Sequence, residues 1–346
     1  MIPVTEPYLP PRERLDRYLD RIYESRRLTN NGPLVQELTE KLKDYLGVEN
    51  LLLVANGTLA LQIAYRTLGV SGSAVTTPFT FPATVAAMDW NDVEPIYSDV
   101  DFRSMNLDPE AAEDSAKPET TAVVPVHTYG NPCDVEAFAS LAQRRRLKLI
   151  YDASHCFGVN YYGTSILNWG DAATLSFHAT KLFSTVEGGA IIFRNREDLE
   201  LARTLINFGI QADGTREGFG INAKMSEFQA AYGLASLPDI DKLIKQRLYQ
   251  VTDYQDMLGD VLRFPEIRAH TEWNGAYCSI VTSNEGQTLR VQKGLWDNDI
   301  QSRRYFRPLD PVFDREPLNS VLCLPLLPRL DRNQIERIAA IVRTNL

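Results

Sequence analysis

The sequence predicts an α/β protein: a mostly parallel sheet with helices on both faces, followed by a smaller α+β unit. Three observations predict it. From residue 51 to about Gly209, short apolar runs alternate with helical stretches. The runs are almost wholly apolar, as strands buried on both faces require. After Gly209 the alternation stops, although the chain continues to residue 346.

Taken in order, Pro3 to Pro11 is proline-rich and reads as an extended arm. Residues 12–27 carry Leu15, Leu19 and Ile22 at helical spacing among charges, and Leu34, Leu38, Leu42 and Leu46 mark a second amphipathic helix stopped by Gly47. Leu51 to Ala55 is a buried strand, followed by Asn56-Gly57-Thr58 and a helix to about Leu68. Further strands are expected at 74–77, 95–98, 122–126, 147–151, 172–175 and 190–193, with helices at 83–90 and 134–145. Gln211 to Gly220 reads as a polar loop. Helices are expected at 226–237 and from about 240 to 257. The last unit should hold strands at 277–282 and 321–324 and helices at 288–296 and 331–342. The expected division is a large domain over 1–240, with the N-terminal arm, and a small one over 241–346.

A net charge of −9 argues against broad nucleic-acid or anionic-membrane binding, although one phosphorylated ligand in a locally positive pocket remains compatible. Arg144-Arg145-Arg146 and Arg303-Arg304 read as solvated faces. Four scattered cysteines without CxxC spacing fit a reducing cytoplasm better than a disulfide framework or a zinc site. The start Met1-Ile-Pro-Val lacks the pattern of a signal peptide, and no stretch approaches the roughly 18 to 20 apolar residues of a membrane span.

Ligands of open α/β sheets collect at the carboxyl ends of the strands, which turns scattered residues into one constellation. Asn56-Gly57-Thr58 lies between strand and helix, so it is either an ordinary N-cap or a phosphate site made of helix N–H groups. Asp152 ends a buried strand and needs a cationic or hydrogen-bonding partner: a nearby amide, or the protonated nitrogen of a pyridine ring. His155 either meets the phenolate oxygen of that ring or caps the turn. Ser176 is a further phosphate ligand, and Phe81 or Phe79 offers a flat face to an aromatic ring. Lys181, between the strands at 172–175 and 190–193, is either a solvated lysine or an amine that forms a Schiff base. Phosphate cup, ring stack, aspartate, histidine and lysine together describe a site for pyridoxal phosphate.

Ser176-Phe-His-Ala-Thr-Lys181 with Glu187-Gly-Gly189-Ala, Asp152-Ala-Ser-His155, Pro125-Val-His-Thr-Tyr-Gly130 and Gly220-Ile-Asn222-Ala-Lys-Met-Ser-Glu227-Phe-Gln229 resemble the DegT/DnrJ/EryC1/StrS family of PLP-dependent nucleotide-sugar aminotransferases. The resemblance runs in register from about residue 3 to the C-terminus. It implies the fold type I architecture, a three-layer sandwich, in a homodimer whose active sites are completed by the partner subunit. It implies that Lys181 is the Schiff-base lysine, Asp152 the pyridine-nitrogen carboxylate and His155 the neighbour of the cofactor oxygen. Gly57, Thr58 and Ser176 would bind the phosphate, Asn222 would reach the phosphate of the other subunit, and Phe81 would stack on the ring. The family's usual Ser-Gly-Thr reads Asn56-Gly57-Thr58 here, a departure that puts Asn56 as a phosphate ligand in question and leaves its neighbours intact. Tyr305 and Phe306 fall in a region that touches substrate in the family, or form a turn packing the small domain. Members with histidine in place of the lysine act as dehydratases, and Lys181 argues against that branch.

The resemblance is strongest to members that aminate dTDP-4-keto-6-deoxyglucose at C4, using L-glutamate, for surface polysaccharide (O-antigen) synthesis. Members acting at C3 more typically carry glutamine at the position of His155. A nicotinamide-dependent dehydrogenase is disfavoured by the missing GxGxxG fingerprint. A non-catalytic PLP-binding regulatory protein is the remaining alternative.

Overall fold

A computed structural model describes residues 1–211, 213–216 and 218–346. Ala212 and Glu217 of the loop expected over 211–220 lie outside the described residues. Helices α1 (Arg12–Ser25) and α2 (Pro33–Leu46) follow the extended arm, whose Ile2 and Thr5 bridge to Ile300 and Leu326 near the other end of the chain. In α2 the expected apolar face is buried, Pro33 occupies the first turn, and Gly47 closes the helix at φ 62°. The Leu34 and Val35 amides at its start donate to the fully buried carboxylate of Glu227, at 2.9 and 3.0 Å. A residue 193 positions away thus caps this helix.

The sheet is built from β1 (Leu51–Val54), β2 (Ser73–Thr76), β3 (Glu94–Tyr97), β4 (Thr120–Val124), β5 (Lys148–Asp152), β6 (Ala172–Ser176) and β7 (Gly189–Phe193). Its spatial order is β1-β7-β6-β5-β4-β2-β3. All neighbours are parallel except β7, which runs antiparallel to both β1 and β6. The carboxyl ends of the parallel strands therefore share one edge with the first residue of β7, Gly189.

Between the strands lie α3 (Gly57–Thr67), α4 (Ala83–Asp89), α5 (Pro109–Ser115) and α6 (Val135–Arg145), and α7 (Arg196–Leu205) follows the sheet. Helices α5 and α7 are additional to the expected elements. Side chains alternate across each strand. Leu51 and Leu53 enter a core shared with α2 and α6, while Leu52 and Val54 enter the opposite core shared with α3 and α7. That alternation makes three layers of helix, sheet and helix.

The chain continues through α8 (Glu227–Ser236), α9 (Ile240–Leu258), β8 (Cys278–Val281), α10 (Glu285–Trp296), β9 (Val321–Leu324) and α11 (Arg332–Thr344). Strands β8 and β9 pair antiparallel. A separate apolar cluster joins α9 (Val251, Tyr254, Leu258), β8 (Ile280), β9 (Leu322) and α11 (Ile338).

Candidate active site

A cavity of about 530 Å³ opens at the strand edge described above. One wall is the turn from β1 into α3. Asn56 is extended there, and its side-chain oxygen accepts the Leu59 amide at 2.8 Å, so it serves as the N-cap and is engaged within the protein. Gly57 and Thr58, the first two residues of α3, line the cavity where a helix start leaves N–H groups without helical partners. Ser176, the last residue of β6, lies beside them.

Close packing shapes this cup. A Cβ on Gly57 would stand 2.9 Å from the Ser176 Cβ, and one on Gly189 only 2.7 Å from the Asn56 carbonyl carbon. Any side chain at either glycine would push the turns apart. Gln229 of α8 fastens the same two turns: its amide donates to the Ala55 carbonyl at 3.0 Å and the Glu187 carbonyl at 2.6 Å. Its oxygen accepts from the Ser226 amide at 2.8 Å and so is committed to the capping box of α8. Val186, just before Glu187, stands at φ 69°. For a β-branched residue this costs of the order of 1–3 kcal/mol, so the surrounding contacts must hold the turn.

Asp152 ends β5 with 5% of its surface exposed. Thr84 donates its hydroxyl to one carboxylate oxygen at 2.8 Å, and the Ser154 amide donates to the other at 3.1 Å. The half-buried Lys181 lines the same cavity. Burial lowers its amine from the ordinary value to about 8, against the opposing attraction of the Asp152 charge. An amine so placed is partly neutral, and therefore nucleophilic, near physiological pH.

His155 is buried, and burial together with the Lys181 charge holds its imidazole neutral, well below its usual range. Its Nδ1 is buried with no hydrogen-bond partner in the protein. The ring stacks on Phe306 at 5.9 Å and meets the edge of Tyr277 at 4.9 Å. Phe81 lines the cavity with 59% of its surface exposed, whereas Phe79 is fully buried in contact with Tyr129 and Phe306. Of the two flat faces considered, only that of Phe81 is open to a ligand. Tyr305 and Phe306 both line the cavity, with Phe306 also reaching into the core. Asn222 is exposed, bridges to Asn207, and does not line the cavity of its own chain.

The structure corrects one expectation. Arg303 and Arg304 are not a shared solvated face: Arg304 is 9% exposed and pairs with Glu285 at 2.7 Å, whereas Arg303 lines the cavity. Strand pairing of Arg303 with Cys323 in β9 turns the two side chains to different surroundings. Thr84, Tyr277 and Gln229 are further contributors that no motif role announced. Gln229 belonged to a quoted motif, yet its partners lie 174 and 42 residues away.

These residues fit pyridoxal phosphate. The glycine-lined cup offers amides to a phosphate, the orphaned His155 Nδ1 awaits a polar partner, and Lys181 supplies an amine of lowered basicity. Fold and site together define an enzyme of the pyridoxal-phosphate-dependent class.

The chain belongs to the DegT/DnrJ/EryC1/StrS aminotransferase family, whose sequence model matches residues 11–343. It is 39% identical to a dTDP-4-amino-4,6-dideoxy-D-glucose transaminase of Shigella dysenteriae, covering 98% of each chain. It is 36% identical to the Escherichia coli transaminase of the same name, over 99% of this chain and 98% of the relative. DesI, solved in the presence of its TDP-sugar product, superposes with a TM-score of 0.92 at 31% identity, over 99% of this chain and 92% of DesI. The chain is thus an aminotransferase.

Proposed function

We propose that the protein moves the amino group of L-glutamate to C4 of dTDP-4-keto-6-deoxyglucose, giving dTDP-4-amino-4,6-dideoxyglucose for bacterial surface polysaccharide. The observation that carries the chemistry is the depressed amine of Lys181, close enough to feel Asp152, in the cavity that holds the Gly57–Thr58 cup. The nucleotide and the C4 position rest on the two full-length relatives bearing that product's name.

When bound, pyridoxal phosphate supplies an aldehyde carbon for amine exchange and a ring that accepts electrons. In this reading the Gly57 and Thr58 amides and the Ser176 hydroxyl hold the phosphate. Phe81, open to the cavity, would cover one face of the ring. Asp152, fixed by Thr84 and Ser154, keeps a proton on the pyridine nitrogen. His155, held neutral, would meet the phenolate oxygen. Lys181 Nζ would hold the cofactor through its aldehyde carbon and, once released by exchange with the donor's amine, would be the free base that moves a proton from the carbon bearing that amine to the neighbouring carbon. Tyr305 and Phe306 border the sugar.

The active assembly is a homodimer in which Asn222 reaches the partner's phosphate. Its exposure outside its own cavity supports this, as do the exposed Phe208, Phe219 and Phe228. We assign the cofactor unit to residues 1–240 and the smaller unit to 241–346; the separate apolar cluster around α9 and α11 supports that division. The cytoplasm is the proposed compartment. No helix among the described residues is long and apolar enough to cross a membrane, and the four buried cysteines are unpaired.

The test is to add L-glutamate to the yellow holoprotein, then the keto sugar nucleotide, and read product regiochemistry by NMR. Bleaching by glutamate followed by a 4-amino product is expected. A 3-amino product would place the enzyme with the C3 members, and an unbleached protein would point to a non-catalytic role.

A further inference from the structure

Arg303 is set apart from the arginines around it. Arg304 and Arg307 both pair with Glu285, at 2.7 and 3.3 Å. Among the described residues no carboxylate lies within 4.0 Å of the Arg303 guanidinium, and no hydrogen bond engages its side chain. Its backbone is nevertheless fixed, because it exchanges hydrogen bonds with Cys323 of β9 at 3.2 and 2.7 Å. The side chain passes over the Tyr305 ring, 5.9 Å from the centroid, and lines the cavity. A solvated arginine commonly finds a carboxylate on an acidic protein, and this one is held at a site mouth without one.

The charges around the cavity say what such a group is for. Asp152 and Glu187 line it together with Lys181 and Arg303, in a chain of net charge −9. Both substrates of the proposed reaction are anions, so an approaching carboxylate or diphosphate meets a repulsive field unless a local cation receives it. The cup formed by Gly57, Thr58 and Ser176 lies at the ends of β1 and β6 and suits the cofactor phosphate. Arg303 comes instead from the segment before Tyr305 and Phe306, tied to the small C-terminal sheet. A planar fork of donors suits a bidentate oxyanion better than a single-point contact.

We propose that Arg303 is the substrate oxyanion receptor of this site, binding the diphosphate of the sugar nucleotide or a carboxylate of the amino donor. The assignment rests on the aminotransferase reading above, and its test keeps the two separable. Wild-type holoprotein and the Arg303→Gln and Arg303→Lys variants are titrated calorimetrically with dTDP and, separately, with glutarate. Cofactor absorbance is recorded throughout, as is bleaching by glutamate.

Arg303→Gln should weaken at least one probe about ten-fold or more, with unchanged cofactor absorbance. Arg303→Lys should fall between, since it keeps the charge and loses the fork. Weakening in the dTDP arm identifies the diphosphate; weakening in the glutarate arm identifies the carboxylate. Binding of both probes within about two-fold of wild type overturns the assignment. So does wild-type protein that binds neither probe, or a loss accompanied by altered cofactor absorbance, which marks Arg303 as a brace for Tyr305. Wild-type protein that fails to bleach with glutamate overturns the aminotransferase reading instead.

Discussion

Burial and a neighbouring carboxylate pull the Lys181 amine in opposite directions, and burial prevails, leaving it near 8. Capture of pyridoxal phosphate by the apoprotein should therefore speed up as pH rises toward about 8 and level off above it. Asp152→Asn removes the attraction that favours the charged amine, so the midpoint of this profile should move down. A stopped-flow absorbance series gives the midpoint, and one that stays or rises contradicts the proposed pairing. His127 makes a second prediction, on stability. Its Nδ1 accepts the Cys133 amide at 3.0 Å, its ring stacks on Tyr151 at 4.5 Å, and burial lowers it to about 3. The unfolded chain binds a proton below about 6.5, while the folded one refuses it until about 3. Folding stability should thus fall as pH drops through that window, by an amount on the order of a few kcal/mol from this residue. In denaturant titrations, His127→Gln should flatten the slope relative to wild type; parallel slopes would rule the residue out as the source.

At the scale of elements, the β1–α3 turn and the turn leading into β7 form one unit because Gln229 donates to a carbonyl in each. Gln229→Ala should weaken pyridoxal phosphate about ten-fold while leaving pyridoxal, which lacks the phosphate, nearly unchanged. Gln229→Glu keeps the acceptor for Ser226 but cannot donate, so it should not rescue. Equal losses for both ligands would mean general unfolding and not a loosened cup. Much of this level was legible beforehand: the seven strands of the sheet and the helices flanking the site fall within a few residues of expectation, because their apolar spacing is local. Helices α5 and α7 were not; α7 has Leu199, Ala202 and Leu205 as its buried face, but it follows the last strand of the large sheet and so falls outside the strand–helix alternation. The cup was legible only as an alternative between N-cap and phosphate site. The structure shows that Asn56 caps the helix while its neighbours line the cavity.

For the whole molecule, the proposed exchange of Asn222 across a dimer predicts complementation. Lys181→Ala and Asn222→Ala chains should each be impaired alone. Mixed after mild dissociation and reassociation, they form hybrids with one site built wholly from native residues. About a quarter of wild-type activity should return at equal proportions, since half the dimers are hybrids with one intact site. No recovery in a mixture shown by mass spectrometry to contain hybrids would place Asn222 in its own chain's site.

Composition and period by themselves determined the α/β class, a mostly parallel sheet with helices on both faces, because both depend on local spacing; the roles of Lys181 and Asp152 stood as alternatives that only the family resemblance turned into expectations. Only the tertiary structure decided that Phe79 is sealed in the core while Phe81, the residue the resemblance points to, is open, and that Arg304 is spent on Glu285 while Arg303 reaches the cavity. It alone joined Gln229 to the cup and Glu227 to α2. These are decisions about burial and about partners far apart in the chain. No local pattern carries them, because the energy of a buried charge or amide depends on what the fold brings beside it.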